Sequence, residues 1–215
     1  MKQLLNVCLG LCLCALISSC GNQNSYVLIE TEYGNMKVLL YNETPIHKEN
    51  FLKLAGEGFY DGLLFHRVMR GFMIQGGDPN SRDAAPGRSL GNGGPGYELT
   101  AEIGSPHFKG SLAAARTPDA GNPEKKSSGS QFYVVQGNKV SDQRLDQFER
   151  MKGIKYTEAQ RALYKEVGGR PDLDMEYTVF GEVVEGLEVI DKIAVVEGDR
   201  ANRPVKDIKM KIRVL

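Results

Sequence analysis

At the end of the chain Ile208, Met210, Ile212 and Val214 alternate with Lys209, Lys211 and Arg213. Successive side chains of a strand point to opposite faces, so this alternation predicts a half-buried β-strand with one face on a core. Similar signals recur along the chain. Val27 to Thr31 and Met36 to Tyr41 are strand-like runs on either side of Glu32-Tyr33-Gly34-Asn35, a composition that closes hairpins. Leu63 to Met69 and Phe72 to Gln75 follow across a tight Arg70-Gly71 connection, and Gly110 to Ala115, Gln131 to Val135 and Tyr177 to Val184 are further apolar runs. Short strands separated by turns, with no regular alternation of strand and helix, argue for a closed antiparallel barrel rather than an α/β sheet.

Two helical segments suit the barrel's open ends. Thr44 caps a helix with Pro45 in its first turn, Phe51, Leu54 and Ala55 share one face, and Gly56 and Gly58 supply the stop. Leu187, Ile190, Ile193 and Ala194 form a second helical face. From about Asn138 to Pro171 the pattern turns helical again. Ser141 caps a turn carrying Leu145 and Phe148, and Thr157-Glu158-Ala159-Gln160 is a capping box before Ala162 and Leu163. This reads as a helical hairpin inserted into a β protein, a decoration of the barrel rather than a lid.

The first residues carry an address. Lys2 precedes an apolar run from Leu4 to Ile17, too short to span a bilayer but suited to the core of a signal peptide. It ends in Leu16-Ile17-Ser18-Ser19-Cys20, which resembles a bacterial lipobox; the alternative is an ordinary signal peptide cut nearby. The expectation is a signal peptide over 1–19, an acylated Cys20 with a short tether over 20–25, and a folded domain over 26–215, exported and lipid-anchored to a bacterial membrane. All four cysteines, Cys8, Cys12, Cys14 and Cys20, precede that domain, so disulfides play no part in its fold.

Composition excludes several functions. Lysine and arginine total 27 against 27 acids, so no basic surplus points to a nucleic-acid partner. The glycine-rich loop from Gly76 to Gly96 reads as long and mobile, but no Gly-Lys-Ser/Thr follows it, as phosphate binding would require. His47, His66 and His107 are scattered without a second ligand at metal-binding spacing, so no metal site and no cofactor are expected.

Several separated motifs remain: Glu49-Asn50-Phe51 with Gly58-Phe59-Tyr60, Phe65-His66-Arg67, Gly71-Phe72-Met73-Ile74-Gln75-Gly76-Gly77-Asp78, Gly129-Ser130-Gln131-Phe132-Tyr133, and Val179-Phe180-Gly181. In these motifs, and in their order from about Val27 to Leu215, the chain resembles the cyclophilins. The resemblance implies a closed eight-stranded antiparallel barrel capped by two helices. It also implies peptidyl-prolyl cis-trans isomerase activity on proline-containing polypeptides, by a monomer, in the service of protein folding. A non-catalytic proline-peptide-binding chaperone or scaffold of the same fold is the alternative.

Carried over residue by residue, the resemblance makes Arg67 the catalytic residue. Phe72, Met73 and Tyr133 become the proline pocket, with tyrosine where the family has phenylalanine. Gln75 orients the arginine, Gln131 shares its wall, and the backbone of Ala115, Arg116 and Thr117 takes the residue before proline. Strict alternation sets Phe72 on the opposite face from Met73 and Gln75, so its place in the pocket follows from the resemblance alone. His66 is expected to be a hydrogen-bonded structural histidine. Departures gather on the far wall. Arg116 replaces a usual asparagine and adds a positive charge at the rim. Asp172 stands where many eukaryotic members carry a tryptophan, and Tyr177 where they carry a histidine, although Leu173 and Tyr177 still line the pocket. The indole used in tight cyclosporin binding is missing.

Overall fold

A computed structural model describes residues 24–215. The signal peptide and Cys20 lie outside the described residues. In chain order the elements are β1 (Ser25–Thr31), β2 (Gly34–Leu40), α1 (Pro45–Gly56), β3 (Arg67–Met69), β4 (Met73–Gly76), β5 (Glu98–Leu99), β6 (Ser111–Ala114), β7 (Ser127–Ser128), β8 (Phe132–Val135), α2 (Asp142–Lys152), α3 (Glu158–Glu166), β9 (Val179–Glu185), α4 (Leu187–Ala194) and β10 (Lys211–Val214). An eight-stranded sheet runs β10-β1-β2-β9-β6-β8-β4-β3, every pair antiparallel, and curls around a core. The short pair β5 and β7 stands apart from it.

The alternating C-terminal stretch serves as the seam of this sheet. Lys211 to Val214 pair with β1, whereas the preceding residues turn to the segment before β3, where Gly62 donates to Met210, Met210 to Leu63, and Phe65 to Ile208 at 2.8–2.9 Å. The Leu64–Lys209 bridge lies within that seam. Thus the curled sheet is closed by a few backbone bonds rather than by a full ladder between β3 and β10.

Parity divides β4, β6, β8 and β9 between two apolar clusters. Ile74, Leu112, Ala114, Phe132, Val134 and Phe180 point inward to the barrel core, where Phe51 of α1 meets Phe132 edge-on at 5.4 Å. Met73, Ala113, Tyr133, Val135 and Val179, one residue out of step, form a second buried cluster on the outer face. Alternation along β4, β6 and β8 therefore builds the core and the pocket from the same strands.

Helix α1 covers one end of the barrel, but not with the predicted cap. Thr44 stands at the N-cap position without a side-chain cap bond. Instead Glu102, from a distant loop, accepts from the Ile46 and His47 backbone at 3.1 and 3.0 Å and contacts His47 Nδ1 at 2.7 Å. A carboxylate at a helix N-terminus satisfies orphan donors and complements the helix dipole.

The insertion folds as its sequence predicts. Ser141 and Thr157 cap α2 and α3, the latter with the full capping box to Gln160. Leu145, Phe148, Tyr156 and Tyr164 make a small core of their own, against which Phe108 packs. Gly169 closes the base by bridging both Phe108 and Asn138. A Cβ at Gly169 would fall 2.3 Å from the His107 carbonyl oxygen, so only glycine allows this approach.

Candidate active site

Arg67 and Gln75 are cross-strand partners on β3 and β4 and so share a face. Arg67 NH1 donates to Gln75 Oε1 at 3.1 Å, NH2 contacts Met69 Sδ at 3.2 Å, and the guanidinium carbon lies 5.7 Å from the Phe72 ring centroid. No carboxylate among the described residues pairs with it, so its charge stays available to a ligand. Gln75 Nε2 in turn donates to Gln131 Oε1 at 3.2 Å. Gln131 Nε2 ends the chain on the carbonyls of Gly91 and Gly93 at 2.9 and 2.7 Å. The glycine-rich loop is thereby tied down, and Asp78 adds a bond from Gly91 N at 2.5 Å.

The apolar floor lies beside this polar chain. Phe72, Ala115, Leu173 and Tyr177 pack against buried Met73 and Tyr133. Phe72 escapes the alternation argument because it precedes β4: its amide donates to Met69 O at 3.0 Å within the turn made by Gly71, at φ 71°. A turn residue is not bound to strand parity, and Phe72 swings toward the outer cluster.

The strand edge beside the pocket is narrower than expected. Ala115 donates its N–H to Gln131 O at 3.0 Å and accepts from Ser128 N at 2.8 Å, so its backbone is already engaged. The main-chain N–H and C=O of Arg116 make no bond among the described residues and are the groups left for an extended peptide. The Arg116 side chain is turned away and only 5% exposed, rather than offering charge at the rim. Its Nε donates to Glu176 O at 2.8 Å, its NH1 pairs with Asp119, and its guanidinium carbon lies 4.6 Å from the Tyr177 ring centroid.

Below the floor lies a buried polar network that local sequence patterns do not reveal. Asp174 Oδ1 accepts from His107 N at 2.7 Å and from His107 Nδ1 at 3.0 Å, so Nδ1 carries hydrogen. His107 Nε2 is then the acceptor for the Tyr133 hydroxyl at 3.0 Å. Asp174 Oδ2 accepts from Tyr156 and Tyr164 of the insertion at 2.7 and 2.6 Å. Burial pushes the Tyr133 hydroxyl well above the ordinary phenol range, so it stays protonated and donates. The network fastens the insertion to the pocket floor.

On the far wall Asp172 is held by two of the Arg170 guanidinium nitrogens, Nε at 2.8 Å and NH2 at 2.6 Å. Burial disfavours its charge, but Arg170 prevails and keeps the carboxyl below its usual range. The Arg170 guanidinium carbon lies 4.0 Å from the Phe72 ring centroid. An ion pair thus occupies the side of the floor where the sequence lacks an indole.

His66 differs from expectation: it is buried, but neither ring nitrogen has a hydrogen-bond partner among the described residues. Burial lowers its pKa and keeps it neutral, which suits a neighbour of Arg67.

Comparison with known proteins agrees with this geometry. The family described as cyclophilin type peptidyl-prolyl cis-trans isomerase/CLD matches residues 26–214. A Staphylococcus haemolyticus protein carrying a peptidyl-prolyl cis-trans isomerase name is 34% identical over 183 residues, covering 85% of this chain and 86% of that protein. A Streptococcus pyogenes protein named as a bifunctional phosphatase and isomerase is 34% identical over 186 residues, 85% of this chain but only 37% of its own length. A crystal structure of a Cryptosporidium parvum cyclophilin-type isomerase superposes with a TM-score of 0.63 at 24% identity, covering 90% of this chain and 98% of that one. A second crystal structure of that protein, determined in the presence of the dipeptide Ala-Pro, gives 0.60 at 25% identity, covering 88% and 98%. With the fold, the motifs and the family match in agreement, this chain belongs to the cyclophilin-type peptidyl-prolyl cis-trans isomerases.

Proposed function

We propose that this chain isomerises X-Pro bonds of extended polypeptides outside the cytoplasm, assisting their folding while tethered to a membrane through an acylated Cys20. The observation that carries the catalytic part is Arg67, an unpaired guanidinium held at 3.1 Å by Gln75 beside an apolar cup. Rotation about a prolyl bond faces a barrier of about 18–20 kcal/mol because the amide is resonance-stabilised. The client's proline ring enters the cup of Phe72, Met73, Tyr133, Leu173 and Tyr177, while Arg116 main-chain groups hold the preceding residue. Arg67 then donates to the prolyl amide as its nitrogen pyramidalises, stabilising the twisted form over the planar one. Lowering the barrier by about 5 kcal/mol gives roughly 10³–10⁴-fold acceleration.

No other chemistry is required of the site. The Tyr133 hydroxyl is committed to His107, and Gln75 and Gln131 position the arginine and the glycine loop. For the address, the support is the Leu16–Cys20 lipobox after an apolar run. The test is mass spectrometry of the chain recovered from membranes, with and without Cys20→Ser. An N-terminal cysteine carrying acyl chains is expected, lost in the variant together with membrane association. A soluble chain cleaved elsewhere would overturn the anchor.

A further inference from the structure

Beside the proline pocket the insertion opens a second cleft of about 580 Å³, lined among others by Lys139, Ser141, Arg144, Phe148, Arg170 and Asp172. Its charge is uneven. The three carboxylates of α2 are all engaged by basic residues outside that helix: Asp142 by Arg161 and Lys165, Asp146 by Arg161, and Glu149 by Arg161 and Lys155. Lys139 and Arg144 have no carboxylate partner among the described residues; the Arg144 side chain donates to Gln147 at 2.6 Å and its guanidinium carbon lies 4.7 Å from the Phe148 ring centroid. Three cations thus face one carboxylate, Asp172, which Arg170 already holds.

The cleft is continuous with the floor. Gly71, next to Phe72, lines it, and so does Arg170, whose guanidinium lies against the Phe72 ring. It shares no residue with the groove lined by Gln75, Gly91, Arg116 and Gln131, where the open main chain of Arg116 lies. That groove has its own compensation, since Arg116 and Lys125 are paired with Glu176. A client whose residue before proline lies along Arg116 therefore leaves the pocket past Phe72 and Arg170, toward Lys139 and Arg144.

We propose that this cleft recognises acidic side chains on the C-terminal side of the isomerised proline, so that the protein prefers clients with Asp or Glu shortly after Pro. The inference rests on the isomerase reading and adds a substrate class to it. Uncompensated charge of one sign beside a site raises the local concentration of the opposite sign and discriminates against like charge, and both effects weaken with salt.

The experiment uses matched proline peptides with Glu, Gln or Lys at the second and third positions after proline. Their turnover is measured at low and at physiological salt, with affinity read separately by fluorescence anisotropy of labelled versions. The expected order is Glu over Gln over Lys, with kcat/KM for Glu about tenfold above Gln at low salt and the gap narrowing as salt rises. In the doubly substituted Lys139→Gln, Arg144→Gln protein the Glu-to-Gln ratio falls to about one. Equal turnover and equal affinity for Glu and Gln peptides, or a ratio that survives the double substitution, would overturn the inference. Failure to turn over even the Gln peptide counts against the isomerase reading instead, while the anisotropy series still tests the cleft.

Discussion

The hydroxyl of Tyr133 lies 3.0 Å from Nε2 of His107, joining a pocket side chain to a histidine that Asp174 holds from the other side. Tyr133→Phe keeps the ring and removes the one partner of that nitrogen among the described residues. Leaving a buried acceptor unsatisfied costs about 1–3 kcal/mol. Chemical denaturation is expected to show a loss of that size, while kcat/KM on a simple proline peptide changes by less than about threefold, since the proposed contact with proline is made by the ring. A collapse of activity with stability intact would mean that the hydroxyl acts on the substrate.

Asp174→Ala acts on the same network from its hub. It strands the His107 ring and the hydroxyls of Tyr156 and Tyr164 in one buried place. Each buried donor left without its acceptor costs about 1–3 kcal/mol. The loss is expected to be local first. Hydrogen exchange should rise across α2 and α3 before it rises in β1 and β2. Uniform protection across the chain would show that the insertion does not depend on this fastening.

Much of this arrangement is legible in the sequence because its signals are local. Arg67 and Gln75 are eight residues apart on one hairpin, so a motif and a turn place them together. The capping box of α3 and the alternation from Ile208 to Ile212 are equally local. The His107–Asp174 pair spans 67 residues and the contact of Arg116 with Glu176 spans 60, so neither leaves a periodic trace. That is why His107 reads as a stray histidine, and why Arg116 reads as a rim charge when its side chain is buried. Glu102 at the start of α1 is a third case, since a cap supplied from 55 or more residues away has no local spacing.

Stability is expected to fall as pH drops below about 6.5, the ordinary histidine value. Burial holds folded His66 below that value, and burial does the same to His47 despite the opposing pull of Glu102. In the window between the folded and unfolded pKa the unfolded chain binds more protons. Stability is therefore fully present above the unfolded pKa and is lost as pH falls through the folded one. Urea titrations from pH 8 to pH 5 check this, and His66→Leu should flatten the slope without abolishing it. An unchanged slope in the variant would remove His66 from the account.

Cyclosporin is expected to inhibit weakly. The wall that lacks an indole carries the Arg170–Asp172 pair, whose guanidinium lies 4.0 Å from the Phe72 ring centroid. An apolar cyclic peptide gains little there and must desolvate charge. Titration in the isomerase assay should give half-inhibition no tighter than the micromolar range, and nanomolar inhibition would contradict this description of the wall.

In the proposed mechanism the uncompensated guanidinium of Arg67 lowers the rotational barrier. The most direct test of this is cis-to-trans isomerisation of a neutral proline peptide by the wild type and by Arg67→Ala, with melting curves recorded on both. Loss of one preorganised donor aimed at a transition state costs roughly 10²–10³ in rate. A fall in kcat/KM of that size is expected with little change in melting temperature, because the Arg67 side chain is only part-buried and forms no ion pair among the described residues. Wild-type turnover no faster than that of Arg67→Ala would contradict it and leave a proline-binding module in place of an enzyme.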